Sequence, residues 1–118
     1  CIGETLREKK NKKTNQVLAK QIRNGLASIK NKSNIILAYE PVWSIGSGLI
    51  PKSEDLTRSI AFIKSKFGKK SPKILYGGSV NSNNIEKLKI ITGIDGFLVG
   101  GASQNPKKFI DIIKKTII

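Results

Sequence analysis

The stretch Ala38-Tyr39-Glu40-Pro41-Val42-Trp43-Ser44-Ile45-Gly46-Ser47-Gly48 decides how this chain is read. It completes an apolar run, Ile35-Ile36-Leu37-Ala38, and sets a carboxylate at its end. Burial disfavours the charged form of a carboxylate, so a Glu closing a buried strand is costly unless chemistry uses it. Pro41 and Trp43 come next, followed by a loop holding Gly46 and Gly48 that reads as a lid. Glu40 is thus a candidate acid–base group at a strand end, next to a segment able to close over it.

Strand-like and helix-like stretches alternate around this segment. Leu18, Ile22, Leu26 and Ile29 recur at helical spacing over residues 14–30. Residues 35–39 form a short, continuous apolar run, the pattern of a parallel strand covered on both faces. Leu56, Ile60, Ile63 and Phe67 predict a helix over 54–67, stopped by Gly68. Strands are expected at 73–76 and 96–99, with a short helix over 83–89 between them. Asn105-Pro106 is an N-cap and first-turn pair for a last helix carrying Phe109, Ile110, Ile112 and Ile113. Cys1-Ile2-Gly3-Glu4 reads as the tail of one more strand. The βαβαβα order predicts an α/β fold with a parallel sheet, and no linker divides residues 1–118 into two domains.

Composition narrows the function classes. The 118 residues are 38% hydrophobic and 25% charged, which is globular. The net charge of +14 invites a nucleic-acid reading. The lysines are instead spread along helix-like segments, without interleaved exposed aromatics, and read as solvated faces. No apolar run approaches the roughly 20 residues that cross a bilayer. Neither nucleic acid nor membrane is an expected partner. The single Cys, at position 1, fits a reducing compartment, and the opening residues do not read as a secretory leader. A cytoplasmic location is expected. The chain has no Met and begins on Cys1, so it is expected to be part of a longer polypeptide.

Two further loops complete the pattern. Tyr76-Gly77-Gly78-Ser79-Val80 follows one predicted strand, and Leu98-Val99-Gly100-Gly101-Ala102-Ser103 follows the next. Paired glycines after a strand let backbone N–H groups approach an anion closely. One such pair is commonly just a tight turn; two on consecutive strand ends, beside a Gly-rich loop, point to a phosphate site. In βα barrels the loops after the strands carry function, and every unusual residue of this chain lies on one. Together they describe a half-site for acid–base chemistry on a small phosphorylated substrate.

These motifs, with CIGE at the start, resemble the C-terminal half of the triosephosphate isomerase family along the whole chain and in order. The resemblance implies the second half of a (β/α)8 barrel, from the tail of strand five through helix eight. It implies interconversion of dihydroxyacetone phosphate and glyceraldehyde 3-phosphate through an enediol(ate), with no cofactor and no metal, by an enzyme that is a homodimer when intact. By that resemblance Glu40 is the catalytic base. Pro41, Val42 and Trp43 are the first hinge of the lid, and Ile45, Gly46, Ser47 and Gly48 its tip. Gly46, Ser79, Gly100 and Gly101 hold the substrate phosphate, and Tyr76 and Ser79 latch the closed lid. Glu4 steadies Trp43, although by itself it reads equally as a helix-start acid. Cys1 is implied to be a buried cysteine beside Glu40.

The chain departs from the family pattern in three ways. Ser47 stands where Thr is usual. Pro51, which has no N–H, lies near the second hinge, where a backbone N–H usually meets the latch tyrosine. The family's Asn-x-Lys, catalytic His and Ser-Glu-x-x-Arg are not found, and the chain contains no His. The expectation is an isomerase by family whose residues here are inactive alone. The alternative is a non-catalytic phosphate-binding half-barrel.

Overall fold

The computed structural model describes residues 1–117. Three short parallel strands run β1 (Ile36–Tyr39), β2 (Lys73–Tyr76) and β3 (Gly96–Phe97), adjacent in that order. Ile36 to Tyr39 lie in register with Lys73 to Tyr76, whereas β3 pairs only through Leu75↔Gly96 and Tyr76↔Phe97. The predicted tail of a further strand is a single parallel bridge, Ile2↔Tyr39, on the other side of β1. Ile2 N–H donates to Ala38 C=O at 2.9 Å, and Glu40 N–H donates to Ile2 C=O at 2.8 Å.

Five helices connect and cover the strands: α1 (Leu6–Lys10), α2 (Thr14–Gly25), α3 (Ser53–Ser65), α4 (Ile85–Leu88) and α5 (Pro106–Ile117). Their apolar stripes meet one face of the sheet. Leu18 and Ile22 of α2, Leu56, Ile60 and Ile63 of α3, Leu88 of α4 and Ile112 of α5 pack with Leu37, Tyr39, Ile74 and Tyr76 in one core. Side chains alternate along a strand, so Ile36, Ala38 and Leu75 point to the opposite face. Burial shows the asymmetry: Leu37 and Ile74 are 5% and 0% exposed, Ile36 63%. The opposite face of β1 is thus covered unevenly: Ala38 is buried, while Ile36 at the start of the strand is exposed.

Several elements differ in extent from the sequence expectation. The helix predicted over 14–30 ends at Gly25, and a 3-10 turn, Lys32–Asn34, leads into β1. The helix expected over 83–89 shrinks to one turn. Asn81 and Asn84 side chains take the N–H groups of residues 81, 83 and 84 as acceptors, which competes with helix formation. In α5, Asn105 caps as predicted, its Oδ1 accepting Lys108 N–H at 3.1 Å. Of the four apolar residues expected on its buried face, only Ile112 is buried; Ile110 is 50% exposed. Helix α1 is an addition. Thr5 Oγ1 accepts from Glu8 N–H while Glu8 Oε1 accepts from Thr5 N–H, a capping box written in the sequence as Thr5-x-x-Glu8.

Candidate functional site

The C-terminal ends of β1, β2 and β3 feed Glu40, the Gly77–Gly78 pair and the Gly100–Gly101 pair, so the parallel sheet brings all three loops to one end. Glu40 continues β1 onto the face the helices leave open. It is half-buried, and among the described residues its carboxylate has no hydrogen-bond or ion-pair partner. Its side chain lies flat against Gly77, where an added Cβ would sit 2.6 Å from Glu40 Cγ and 2.7 Å from Oε1. Glycine at 77 is thus required by the carboxylate next to it, not by backbone conformation.

Behind Glu40 stands a buried carboxylate. Glu4 is 2% exposed and accepts from Tyr39 Oη at 2.9 and 3.0 Å and from Trp43 Nε1 at 3.4 Å. Lys9 Nζ lies 4.0 Å from the centroid of the Trp43 ring, a cation–π contact on a residue of the first hinge. Glu4 is not the helix-start acid, because Thr5 and Glu8 take that role. Burial, and then the charge of Glu4, push the Tyr39 hydroxyl far above the usual phenol range. Burial also raises Tyr76, and the Glu4 charge adds to that rise.

The segment after Glu40 begins with a buried Pro41 and a 3-10 turn, Val42–Ser44, then projects into solvent. Val42, Ile45 and Leu49 are each more than half exposed. Gly46 and Gly48 have φ of +66° and +78°, the left-handed region that glycine adopts without steric cost. The tip is docked rather than splayed. Gly48 N–H donates to Ser79 Oγ at 2.9 Å, and Ser79 Oγ donates to Ser44 C=O. Tyr76 Oη lies 2.9 Å from Ser44 Oγ. Pro51 is buried and offers no N–H, and the tyrosine hydroxyl meets Ser44 instead.

Ser44 is the residue that sequence reasoning missed. Nothing in the sequence assigns it a role between the hinge and the tip; the structure gives it 0% exposure and turns its hydroxyl inward. Ser79 N–H donates to Ser44 Oγ at 3.1 Å. Of the four expected phosphate contacts, Ser79 therefore has its N–H already engaged. Those of Gly46, Gly100 and Gly101 have no intrachain acceptor among the described residues. Gly100 and Gly101 are exposed, and Cβ atoms built there would meet nothing within 4 Å. Cys1 corrects the expectation placed on it: it is exposed, because the chain pairs with β1 only from Ile2 onward.

No group of three or more His, Cys, Asp or Glu capable of holding a metal occurs among the described residues. No helix of the described residues is long and apolar enough to cross a membrane. A cavity of about 430 Å³ lies behind the hinge, lined by Glu4, Lys9, Tyr39 and Trp43 among others.

Comparison with known proteins gives one family. A triosephosphate isomerase family model matches residues 1–116. The chain is 43% identical over 120 residues to a triosephosphate isomerase of Thermodesulfovibrio yellowstonii, covering 97% of this chain and 49% of the relative. It is 48% identical over 120 residues to that of Saccharomyces cerevisiae, covering 96% and 48%. It is 46% identical over 123 residues to that of Yarrowia lipolytica, covering 99% and 49%. The chain spans about half the length of the curated relatives it matches.

Proposed function

Because this chain belongs to the triosephosphate isomerase family, we propose that it supplies the base, the lid and the phosphate loops of a triose-phosphate isomerase. The supporting observation is the unpaired Glu40 carboxylate at the end of β1, flanked by a lid whose tip is tied to the β2 loop. In this reading the three strands and the Ile2 bridge are the second half of an eight-stranded barrel. The open face of β1, with Ile36 exposed, is where the rest of the barrel stands.

The chemistry follows the mechanism well described for triosephosphate isomerase. Glu40 takes a proton from the carbon beside the substrate carbonyl, leaving an enediol(ate), and returns it to the neighbouring carbon. The carbonyl moves one position as a proton passes from the hydroxyl oxygen to the former carbonyl oxygen, and no electron acceptor is needed. Gly46, Gly100 and Gly101 donate N–H groups to the phosphate, with Ser79 beside them. The lid residues Pro41, Val42, Trp43, Ile45, Ser47 and Gly48 close over the substrate, latched at Ser79 and Tyr76 and steadied at Trp43 by Glu4. Closure excludes water from a charged intermediate. The partners are a phosphorylated triose and, in the intact protein, a second copy; the setting is the cytoplasm, without nucleic acid or membrane.

What this chain does not carry is the electrophile. An imidazole and an ammonium at the enediolate oxygens are the family's means of stabilising it, and no His is present. Removing one strong oxyanion donor typically costs about 10²–10³-fold. The chain alone is therefore expected to show no useful isomerisation of glyceraldehyde 3-phosphate, with kcat/KM far below that of ordinary enzymes. A value of roughly 10⁴ M⁻¹s⁻¹ or above, within the range of ordinary enzymes, overturns the reading. The absence of His also favours a second reading, a half-barrel that binds phosphate without turning substrate over. Phosphate binding by the intact protein without turnover would favour it.

A further inference from the structure

We infer that Ser44 is the pin of the closed lid, a positioning residue whose one hydroxyl fastens both ends of the loop to the β2 scaffold. The inference rests on reading residues 41–48 as a lid. It does not depend on whether Glu40 is a base.

A serine hydroxyl has one proton to give and two lone pairs to accept with. At Ser44 all three are used. Its O–H donates to Leu49 C=O, on the far side of the glycine tip. One lone pair accepts Ser79 N–H at 3.1 Å. With its proton committed to Leu49, Ser44 Oγ can only be the acceptor in its 2.9 Å contact with Tyr76, so Tyr76 O–H is the donor. Ser44 C=O accepts from the hydroxyls of Ser79 and, at 3.1 Å, Ser47. The hydroxyl of Ser79 then accepts Gly48 N–H. Two hydroxyls thus close a ring that joins the first hinge, the tip and the second side of the lid to two residues that do not move with it, Tyr76 and Ser79.

The surroundings leave little room for a substitute. Ser44 is fully buried, and a Cβ at Gly78 would fall 2.4 Å from Ser44 Oγ and 2.3 Å from Tyr76 Oη. No water need bridge the ring, since no buried side-chain polar atom lacks a partner among the described residues. Ser44→Ala would strand Ser79 N–H, Leu49 C=O and Tyr76 O–H together, and a buried polar group without a partner is unfavourable. Pro51 explains why a side chain holds the tyrosine: the backbone on that side has no N–H to offer there.

Amide hydrogen exchange on the full chain tests the pin. Gly77 N–H, donated to Tyr39 C=O, and Leu98 N–H, donated to Tyr76 C=O, serve as reference amides in the sheet. Ser44→Ala should speed exchange at Gly48 and Ser79 by at least about tenfold while leaving Gly77 and Leu98 unchanged, because local opening exchanges without global unfolding. Tyr76→Phe removes one of the three bonds, leaves Ser44 in place, and should move the same two amides less. Unchanged exchange at Gly48 and Ser79 in both variants overturns the inference. So does a parallel rise at all four amides in both, which would make Ser44 ordinary core. Loss of isomerase activity plays no part in this readout, so failure of the catalytic reading and failure of the pin give different results.

Discussion

The ends of β1 and β2 and the end of β3 carry the same kind of glycine-rich loop, yet they are built differently. Past β1 and β2 every polar group of the Ser44–Ser79–Tyr76 ring has a partner inside the chain. Past β3, a strand paired at only two positions, the Gly100–Gly101 pair stands exposed. The difference is one of neighbours. The β2 loop faces the lid of the preceding unit, which this chain contains. On its far side β3 faces nothing among the described residues, and Leu98 is 39% exposed. A loop is fixed when its partners are near in the same chain, and it stays exposed when none lies beside it among the described residues.

Stability should differ most between the two regions. Ile74 is fully buried in β2, so Ile74→Ala should cost about 2–5 kcal/mol in denaturant unfolding. Leu98→Ala, one strand over on the open side, should stay within about 1 kcal/mol, since exposed positions rarely matter more. Equal costs would mean that β3 is as well packed as β2 and that the contrast is false.

A smaller effect follows from the buried Tyr39–Glu4 pair. The folded-state pKa of Tyr39 is raised above its ordinary value of 10.0. Its protonated form is what the fold favours, so its contribution is fully present below about pH 10 and declines as the unfolded chain ionises above that. Stability of the wild type should fall as pH rises beyond 10, and Tyr39→Phe should flatten the part of that fall owed to this group. Identical alkaline slopes in urea titrations of the two proteins would place Tyr39 outside the linkage.

Much of this was legible in the residues. The periodicity of Leu18 and Ile22, and of Leu56, Ile60 and Ile63, gave α2 and α3, and the apolar runs gave β1 and β2. Glu40 and the three glycine loops were found because carboxylates and glycine pairs are rare at strand ends without a reason. Helix α1 was missed although Thr5 and Glu8 spell its capping box, because five residues carry too little periodicity to see. Ser44 was missed for a different reason. A serine in a polar loop gives no hint that its hydroxyl turns inward, and its partners are Leu49, five residues on, and Tyr76 and Ser79, more than thirty residues away. The exposure of Ile36 was equally invisible, since the run 35–39 looks the same whether one face or two are covered.

We propose Glu40 as the base of a triose-phosphate isomerase. This role is tested most directly by kcat for glyceraldehyde 3-phosphate in a protein assembled from this chain and the first half of a relative such as the Saccharomyces cerevisiae enzyme, compared with the same assembly carrying Glu40→Gln. The amide keeps the shape of the carboxylate but cannot take a proton. The account predicts turnover in the first assembly and a loss of about 10²–10⁴-fold or more in the second, with inorganic phosphate bound equally by both. Turnover that survives Glu40→Gln, with phosphate affinity lost instead, would contradict it and make Glu40 a structural residue.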